Sequence, residues 1–156
     1  MFQDIPVAVM LRALGAATDR EMTSLIGDDE GMMDLFAPSI DEARRMKIFT
    51  EKQALSYIGQ RVRESKADSF YLKGSPVDDA RNFLATYFLG HVPAFNWNMR
   101  LKRIYVALMT RRLIQVQLGV CEFDDPDFYG NKRLELAGSL LEILFEDLFK
   151  RLNSEV

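Results

Sequence analysis

The chain has 156 residues, 48% of them apolar and 28% charged, which is the size of one domain with a genuine core. With 11 Phe, 5 Tyr and 1 Trp, it carries enough apolar surface to offset the entropy of ordering, so disorder is excluded. The formal charge is −3 and there is 1 Cys, Cys121, which argues against a non-specific DNA binder and against a disulfide framework.

No stretch approaches the roughly 20 apolar residues that span a bilayer, and Asp4 and Pro6 stand where a secretory leader would be basic and then apolar. The expectation is a soluble intracellular domain with no membrane partner.

Helical periodicity dominates in chain order. Pro6 to Leu14 is almost continuously apolar and stops at Gly15, which suits a buried helix. Thr18 with Glu21 has capping-box spacing and predicts a short helix ending at Gly27. Ser39 with Glu42 repeats that spacing and predicts another helix carrying Ala43 and Met46 inward. Glu51 to Glu64 places Ala54, Leu55, Ile58 and Val62 on one stripe, with Arg61 and Arg63 outside it. Ser65 to Ser75 loses the periodicity and reads as an exposed loop.

Ser75 followed by Pro76 is the favoured order for a helix start. The helix it opens carries Ala80, Phe83, Leu84, Tyr87 and Phe88, and Gly90 to Pro93 would stop it. Asn98 to Leu118 is the longest segment, with Leu101, Ile104, Tyr105, Leu108 and Leu113 as the expected core face. Arg100, Arg103 and Thr110 lie on a separate polar stripe. After a loop from Gly119 to Asn131, the last helix runs from Leu134 to Leu152 with Leu134, Ala137, Leu141, Leu144, Leu148 and Leu152 on one face. Glu146 to Lys150 and Asp147 to Arg151 are helix-supporting pairs. No segment alternates with period two. The fold class is therefore mainly α, a compact multi-helix single domain with little or no sheet. A chain that begins on a buried-looking helix and stops just past an amphipathic one reads as a piece of something larger.

The usual catalytic patterns are missing. The single histidine, His91, at a helix end reads as a capping or surface side chain, because one histidine and one distant cysteine do not make a zinc site. Neither G-x-x-x-x-G-K nor G-x-G-x-x-G occurs, and no serine sits in a nucleophile elbow. Cys121 stands beside Glu122 in an acidic stretch, which disfavours a thiolate.

The sharpest local feature is Asp124-Asp125-Pro126-Asp127-Phe128-Tyr129-Gly130-Asn131-Lys132-Arg133. As a calcium loop it fails in both registers: counting from Asp125 puts Tyr129 fifth and Leu136 twelfth, and counting from Asp124 puts Pro126 third and Tyr129 sixth. The plain alternative is a solvated turn, with Gly130 bending the backbone and Asn131 capping the last helix. That leaves Lys132 and Arg133 in a first helical turn, opposed to the dipole and in need of a negative partner. Asp124, Asp125 and Asp127 are internal candidates, and a nucleic-acid phosphate is the external one.

Charge is also segregated. From Trp97 through Cys121 there is no acid, whereas Arg100, Lys102, Arg103, Arg111 and Arg112 are basic; Glu122, Asp124, Asp125 and Asp127 follow. A basic helix face beside an acidic loop suits either a partner surface or a nucleic-acid track.

The run Asp124 to Gly138 resembles the D-D-x-D-x-x-G-N/K-K/R-R signature of the second-largest subunit of multisubunit RNA polymerases, where the lobe ends and the chain returns to the protrusion. Upstream, Ile5-Pro6-Val7 through Leu11-Arg12-Ala13-Leu14-Gly15 is similar to the lobe's opening helix. Ile48-Phe49-Thr50, Gln53-Ala54-Leu55 and Tyr57-Ile58-Gly59 are similar to its middle helix. Leu25-Ile26-Gly27, Phe36-Ala37-Pro38-Ser39 and Leu144-Phe145-Glu146-Asp147-Leu148-Phe149-Lys150 are most like RNA polymerase III. Pro126 departs from the eukaryotic pattern, which usually has Arg there, so no role of that Arg carries over.

The resemblance implies a nuclear, non-catalytic lobe fragment spanning 1–156, with 134–156 leading back toward the protrusion. It would line the DNA cleft near downstream DNA, help hold the transcription bubble and dock other subunits. The implied partners are DNA in the assembled enzyme, the largest polymerase subunit and the TFIIF-like subunits of polymerase III. No cofactor is implied for this piece, since the catalytic Mg2+ is held by the largest subunit and not by Asp124, Asp125 or Asp127. By analogy with a pocket for a non-template base in bacterial relatives, Asp127 and Lys132, with Arg133 beside them, are the expected nucleic-acid contacts. The competing expectations are a stand-alone helical adaptor binding only proteins, which has no need of the D-D-x-D-x-x-G-N-K-R run, and a small metal-dependent enzyme.

Overall fold

A computed structural model describes residues 4–65, 75–95 and 97–155. The loop expected over Ser65 to Ser75 therefore lies almost wholly outside the described residues. The described residues form seven α-helices and one 3-10 turn with no strand, as the mainly α reading expects. They group into two compact units, Met1–Glu122 and Phe123–Val156.

In the first unit, α1 (Val7–Ala13) is the hub, packing against α3, α4 and α6. Ala8, Val9 and Leu11 are fully buried, so the all-round apolar sequence has the enclosed position it calls for. Its Arg12 is 4% exposed, and its guanidinium donates to the Ile48 carbonyl and to Asp19. Burial raises the pKa of Asp19, but hydrogen bonds and charge from Arg12 and Arg44 outweigh it, and the carboxyl ends below its ordinary 3.8.

The Thr18 box forms as expected at the start of α2 (Asp19–Ile26). The Thr18 hydroxyl accepts from Glu21 N at 3.1 Å, and the Glu21 carboxylate accepts from Ala17 N at 2.9 Å. The predicted Ser39 start does not form. Instead α3 runs unbroken from Glu30 to Arg45 with Pro38 inside it. The stripe Met32, Phe36, Ile40 and Ala43 is buried continuously across the proline, so core packing outweighs the lost backbone bond. The Ser39 hydroxyl accepts from Ala8 N at 3.1 Å, satisfying an orphan donor of α1 and not of a new helix. Met46 is also not inward; it is 37% exposed as the C-cap.

Helix α4 (Glu51–Ser65) buries Ala54, Leu55, Ile58 and Val62 as read from the sequence. Its start is a Thr50–Gln53 capping box: Gln53 Oε1 accepts from Phe49 N and Thr50 N, and Thr50 Oγ1 accepts from Gln53 N. Helix α5 (Pro76–Thr86) opens on Ser75, whose hydroxyl accepts from Val77 N at 3.3 Å. It ends at Thr86, ahead of the predicted Gly90–Pro93 stop, and Tyr87 is 68% exposed beyond it. Helices α4 and α5 touch backbone to backbone at Gly59, where an added Cβ would lie 1.9 Å from the Pro76 carbonyl oxygen.

Helix α6 (Arg100–Gln117) turns a different face inward from the one predicted. Lys102, Val106, Ala107 and Ile114 are buried, while Leu101, Ile104, Tyr105, Leu108 and Leu113 are 38–72% exposed. The cause is Lys102. It is 0% exposed, and its ammonium donates to the carbonyls of Leu84, Ala85 and Phe88 at 2.8, 2.8 and 2.6 Å. Leu84 and Ala85 stand in the last turn of α5 and Phe88 just beyond its cap, so one buried cation caps one helix while fixing the rotation of another.

The second unit contains the 3-10 turn Tyr129–Asn131 and α7 (Ala137–Glu155). Helix α7 starts later than the predicted Leu134, and within its unit its apolar stripe, including Leu141, Leu144, Leu148 and Leu152, contributes no buried residue. The two predicted pairs form: Lys150 with Glu146 at 2.5 Å and Arg151 with Asp147 at 3.1 Å.

Candidate nucleic-acid interface

The Asp124 to Arg133 segment is folded by its own short-range bonds. Asp125 Oδ1 accepts from Asp127 N at 2.9 Å, an Asx turn that sets the chain's direction just after Pro126. The Asp125 carbonyl accepts from Phe128 N at 3.1 Å and from the Asn131 amide at 3.4 Å. Phe128 O then takes Asn131 N at 2.9 Å, and Tyr129 O takes Lys132 N at 3.1 Å, which closes the 3-10 turn.

Two expectations about this loop need correction. Asn131 is not the N-cap of the last helix, because it ends the 3-10 turn while α7 begins at Ala137. Lys132 is extended, with φ −96° and ψ 144°, so Lys132 and Arg133 do not stand in a helical first turn and do not oppose a helix dipole. Gly130 also has no positive φ. Glycine suits the position because a Cβ would lie 2.5 Å from the Phe128 ring, which folds back over the turn.

Of the three candidate acids, Asp127 is the one that pairs with Lys132. Lys132 Nζ lies 3.8 Å from Asp127 Oδ1, across the turn, with the side chains 57% and 91% exposed. Arg133 Nη1 reaches the Gly130 carbonyl at 3.5 Å and has no acidic partner among the described residues. Asp127, Lys132 and Arg133 are thus gathered on one small turn. At such exposure the pair itself contributes about 0–1 kcal/mol to stability.

Chemically, the turn offers a carboxylate that can accept from a base amino group and two cations that can meet phosphate. Asp124, Asp125 and Asp127 against Lys132 and Arg133 leave it with a negative balance. It is therefore not a phosphate clamp in its own right, and Lys132 is partly neutralised by Asp127 before any ligand arrives. Among the described residues no three His, Cys, Asp or Glu side chains converge to hold a metal ion, at this loop or elsewhere. His91 is exposed and edge-on to the Tyr105 ring at 5.2 Å, and Cys121 is an exposed free thiol. Among the described residues no helix is long and apolar enough to cross a membrane.

Fold and loop together define a class: a mainly α domain that presents an ion-paired Asp–Lys turn on its surface. The chain belongs to the family described as RNA polymerase Rpb2, domain 2, whose model matches residues 2–135. It is 46% identical over 156 residues to the DNA-directed RNA polymerase III subunit RPC2 of Drosophila melanogaster, covering 100% of this chain and 14% of that protein. It is 43% identical over 154 residues to the Schizosaccharomyces pombe subunit of the same name, covering 98% of this chain and 13% of that one. An archaeal relative, the DNA-directed RNA polymerase subunit Rpo2N of Methanococcus vannielii, is 35% identical over 153 residues, covering 97% of this chain and 30% of its own length. The family resemblance read from the loop and the upstream helices is met, with the RNA polymerase III preference. The chain spans about a seventh of the length of the eukaryotic relatives it matches.

Proposed function

We propose that this chain is the non-catalytic lobe domain of the second-largest subunit of RNA polymerase III. In this reading residues 1–156 are the lobe fragment, with 134–156 leading back toward the protrusion. The domain lines the DNA cleft near downstream DNA, helps to maintain the transcription bubble and docks other subunits in the nucleus. Asp127, Lys132 and Arg133 meet nucleic acid there; the largest subunit and the TFIIF-like subunits are the protein partners, and Mg2+ is bound elsewhere.

The observation that carries the reading is the Asp127–Lys132 pair on a self-bonded, exposed turn, in a chain that belongs to the polymerase family over most of its length. An exposed pair that contributes little to stability and holds opposite charges 3.8 Å apart is suited to being exchanged for base and phosphate contacts.

The test is Asp127→Ala in the reconstituted polymerase. The variant chain should melt within about 1 kcal/mol of the parent. The polymerase should show altered bubble lifetime or pausing. Unfolding of the variant would make the turn structural, and unchanged transcription would remove Asp127 from the nucleic-acid contact.

A further inference from the structure

A second feature lies in the first unit, away from the Asp127 turn in sequence. A cavity of about 340 Å³ opens where the turn before α6 meets the end of α1, with walls that include Gly15, Glu51, Trp97, Asn98, Arg100 and Arg103. Trp97 is 57% exposed, and its φ of +63° lies in the left-handed region. A bulky L residue adopts that conformation only when surrounding structure over-determines it, and such residues cluster where a side chain has to be presented. The same indole also lines a neighbouring cavity of about 290 Å³ with Asp78, Arg81 and Asn82. One aromatic side chain is thus a shared wall of two cavities, each holding an arginine.

The charges of the larger cavity are unequally committed. Arg103 pairs with Glu21 at 3.1 Å and donates to the Gly15 carbonyl at 2.5 Å. Glu51 pairs with Arg81 at 3.7 Å, which reduces its repulsion of an incoming anion. Arg100 has no acidic partner among the described residues, and its backbone N–H is held by Asn98 Oδ1 at 3.0 Å. The first turn of α6 contains no acid either.

An exposed indole and an uncommitted guanidinium lining one cavity the size of a small-molecule site ask for a flat aromatic ring carrying an anionic group. We propose that this cavity binds a nucleoside phosphate, with the base stacked on Trp97 and the phosphate held by Arg100. The ligand is either a free nucleotide or one residue of a single strand. The inference extends the nucleic-acid role proposed above to a second place on the chain, and it rests on that role only for its biological setting.

Trp97 is the chain's 1 tryptophan, so fluorescence excited selectively at the indole, and not at the 5 tyrosines, reads this site alone. The full chain is titrated at low ionic strength with ATP and, separately, with a short oligothymidylate. Saturable quenching is expected from at least one of them; tighter binding of the strand identifies the ligand as single-stranded nucleic acid, and tighter binding of ATP identifies a free nucleotide. Arg100→Gln should weaken binding about tenfold with unchanged helical circular dichroism. Trp97→Ala, followed by anisotropy of the labelled ligand, should weaken it about tenfold or more. Arg45→Gln, an exposed arginine in the last turn of α3, should leave the titration unaltered. Absence of saturable quenching overturns the proposal, as does equal loss of affinity in Arg100→Gln and Arg45→Gln, which would mean unspecific charge attraction. If the Asp127→Ala polymerase is defective while Trp97 is not quenched, only the cavity is removed. If Trp97 is quenched while that polymerase is normal, only the turn is removed.

Discussion

Replacing Lys102 with methionine removes a buried ammonium while keeping most of its stem. Three carbonyls, of Leu84, Ala85 and Phe88, then lose a donor that stands 2.6–2.8 Å away. A hydrogen bond to a charged group is worth about 1.5–3 kcal/mol, but the three share one cation and do not add. Relief of the ammonium's desolvation works in the opposite direction. The orphaned acceptors at the α5 end outweigh that relief, and we expect a destabilisation of about 2–4 kcal/mol. Urea denaturation followed by circular dichroism measures it, with an unchanged m-value showing that the same surface unfolds. Burial pushes the Lys102 pKa below its ordinary 10.5, so between the folded value and 10.5 the unfolded chain binds more protons. Wild-type stability should therefore rise relative to Lys102→Met as pH increases through that window. A Lys102→Met chain as stable as wild type at pH 7 would refute the reasoning, since the buried cation would then be a cost that its bonds do not offset.

Asp19→Asn should cost about 1–3 kcal/mol near neutral pH, because the guanidinium of the buried Arg12 loses its carboxylate partner. Since the folded pKa of Asp19 is below 3.8, the wild-type advantage should be present above that pH and vanish as pH falls through the folded value; urea curves at successive pH values check it. Gly59→Ala should destabilise by about 1–3 kcal/mol, because its methyl would meet the Pro76 carbonyl, which is backbone and cannot rotate away; thermal melts measure it, and a neutral result would contradict the α4–α5 contact.

Much of the first unit was legible in local sequence because its signals are local. Thr18–Glu21, Ser75–Pro76 and the Ala54, Leu55, Ile58, Val62 stripe act within a turn or two, and each appears in place. The Thr50–Gln53 box that opens α4 is a signal of the same local kind. Ser39–Glu42 misled because a capping pattern is only a local preference, and the buried stripe from Met32 to Ala43 carries α3 through Pro38. The rotation of α6 could not be read from apolar counting, because a lysine is the deepest residue on it, and its acceptors come from residues 14–18 positions earlier. At the candidate site, the sequence offers Lys132 three acids within eight residues, and the fold of the turn selects Asp127. The pair answers no helix dipole, since no helix begins at Asn131. The Trp97 cavity had no sequence signal beyond a lone tryptophan ahead of a basic run.

The central claim is that the turn around Asp127 meets nucleic acid in the assembled polymerase, and site-specific photocrosslinking tests it most directly. Tyr129 is 93% exposed at the centre of the turn, so a photoreactive phenylalanine analogue placed there leaves the turn's backbone bonds intact. In a reconstituted polymerase III complex on a transcription-bubble template, crosslinks from position 129 to labelled DNA are expected, with none from the same analogue placed at Glu146 on α7. Crosslinks from position 129 only to protein, or equal DNA crosslinking from both positions, would contradict the claim.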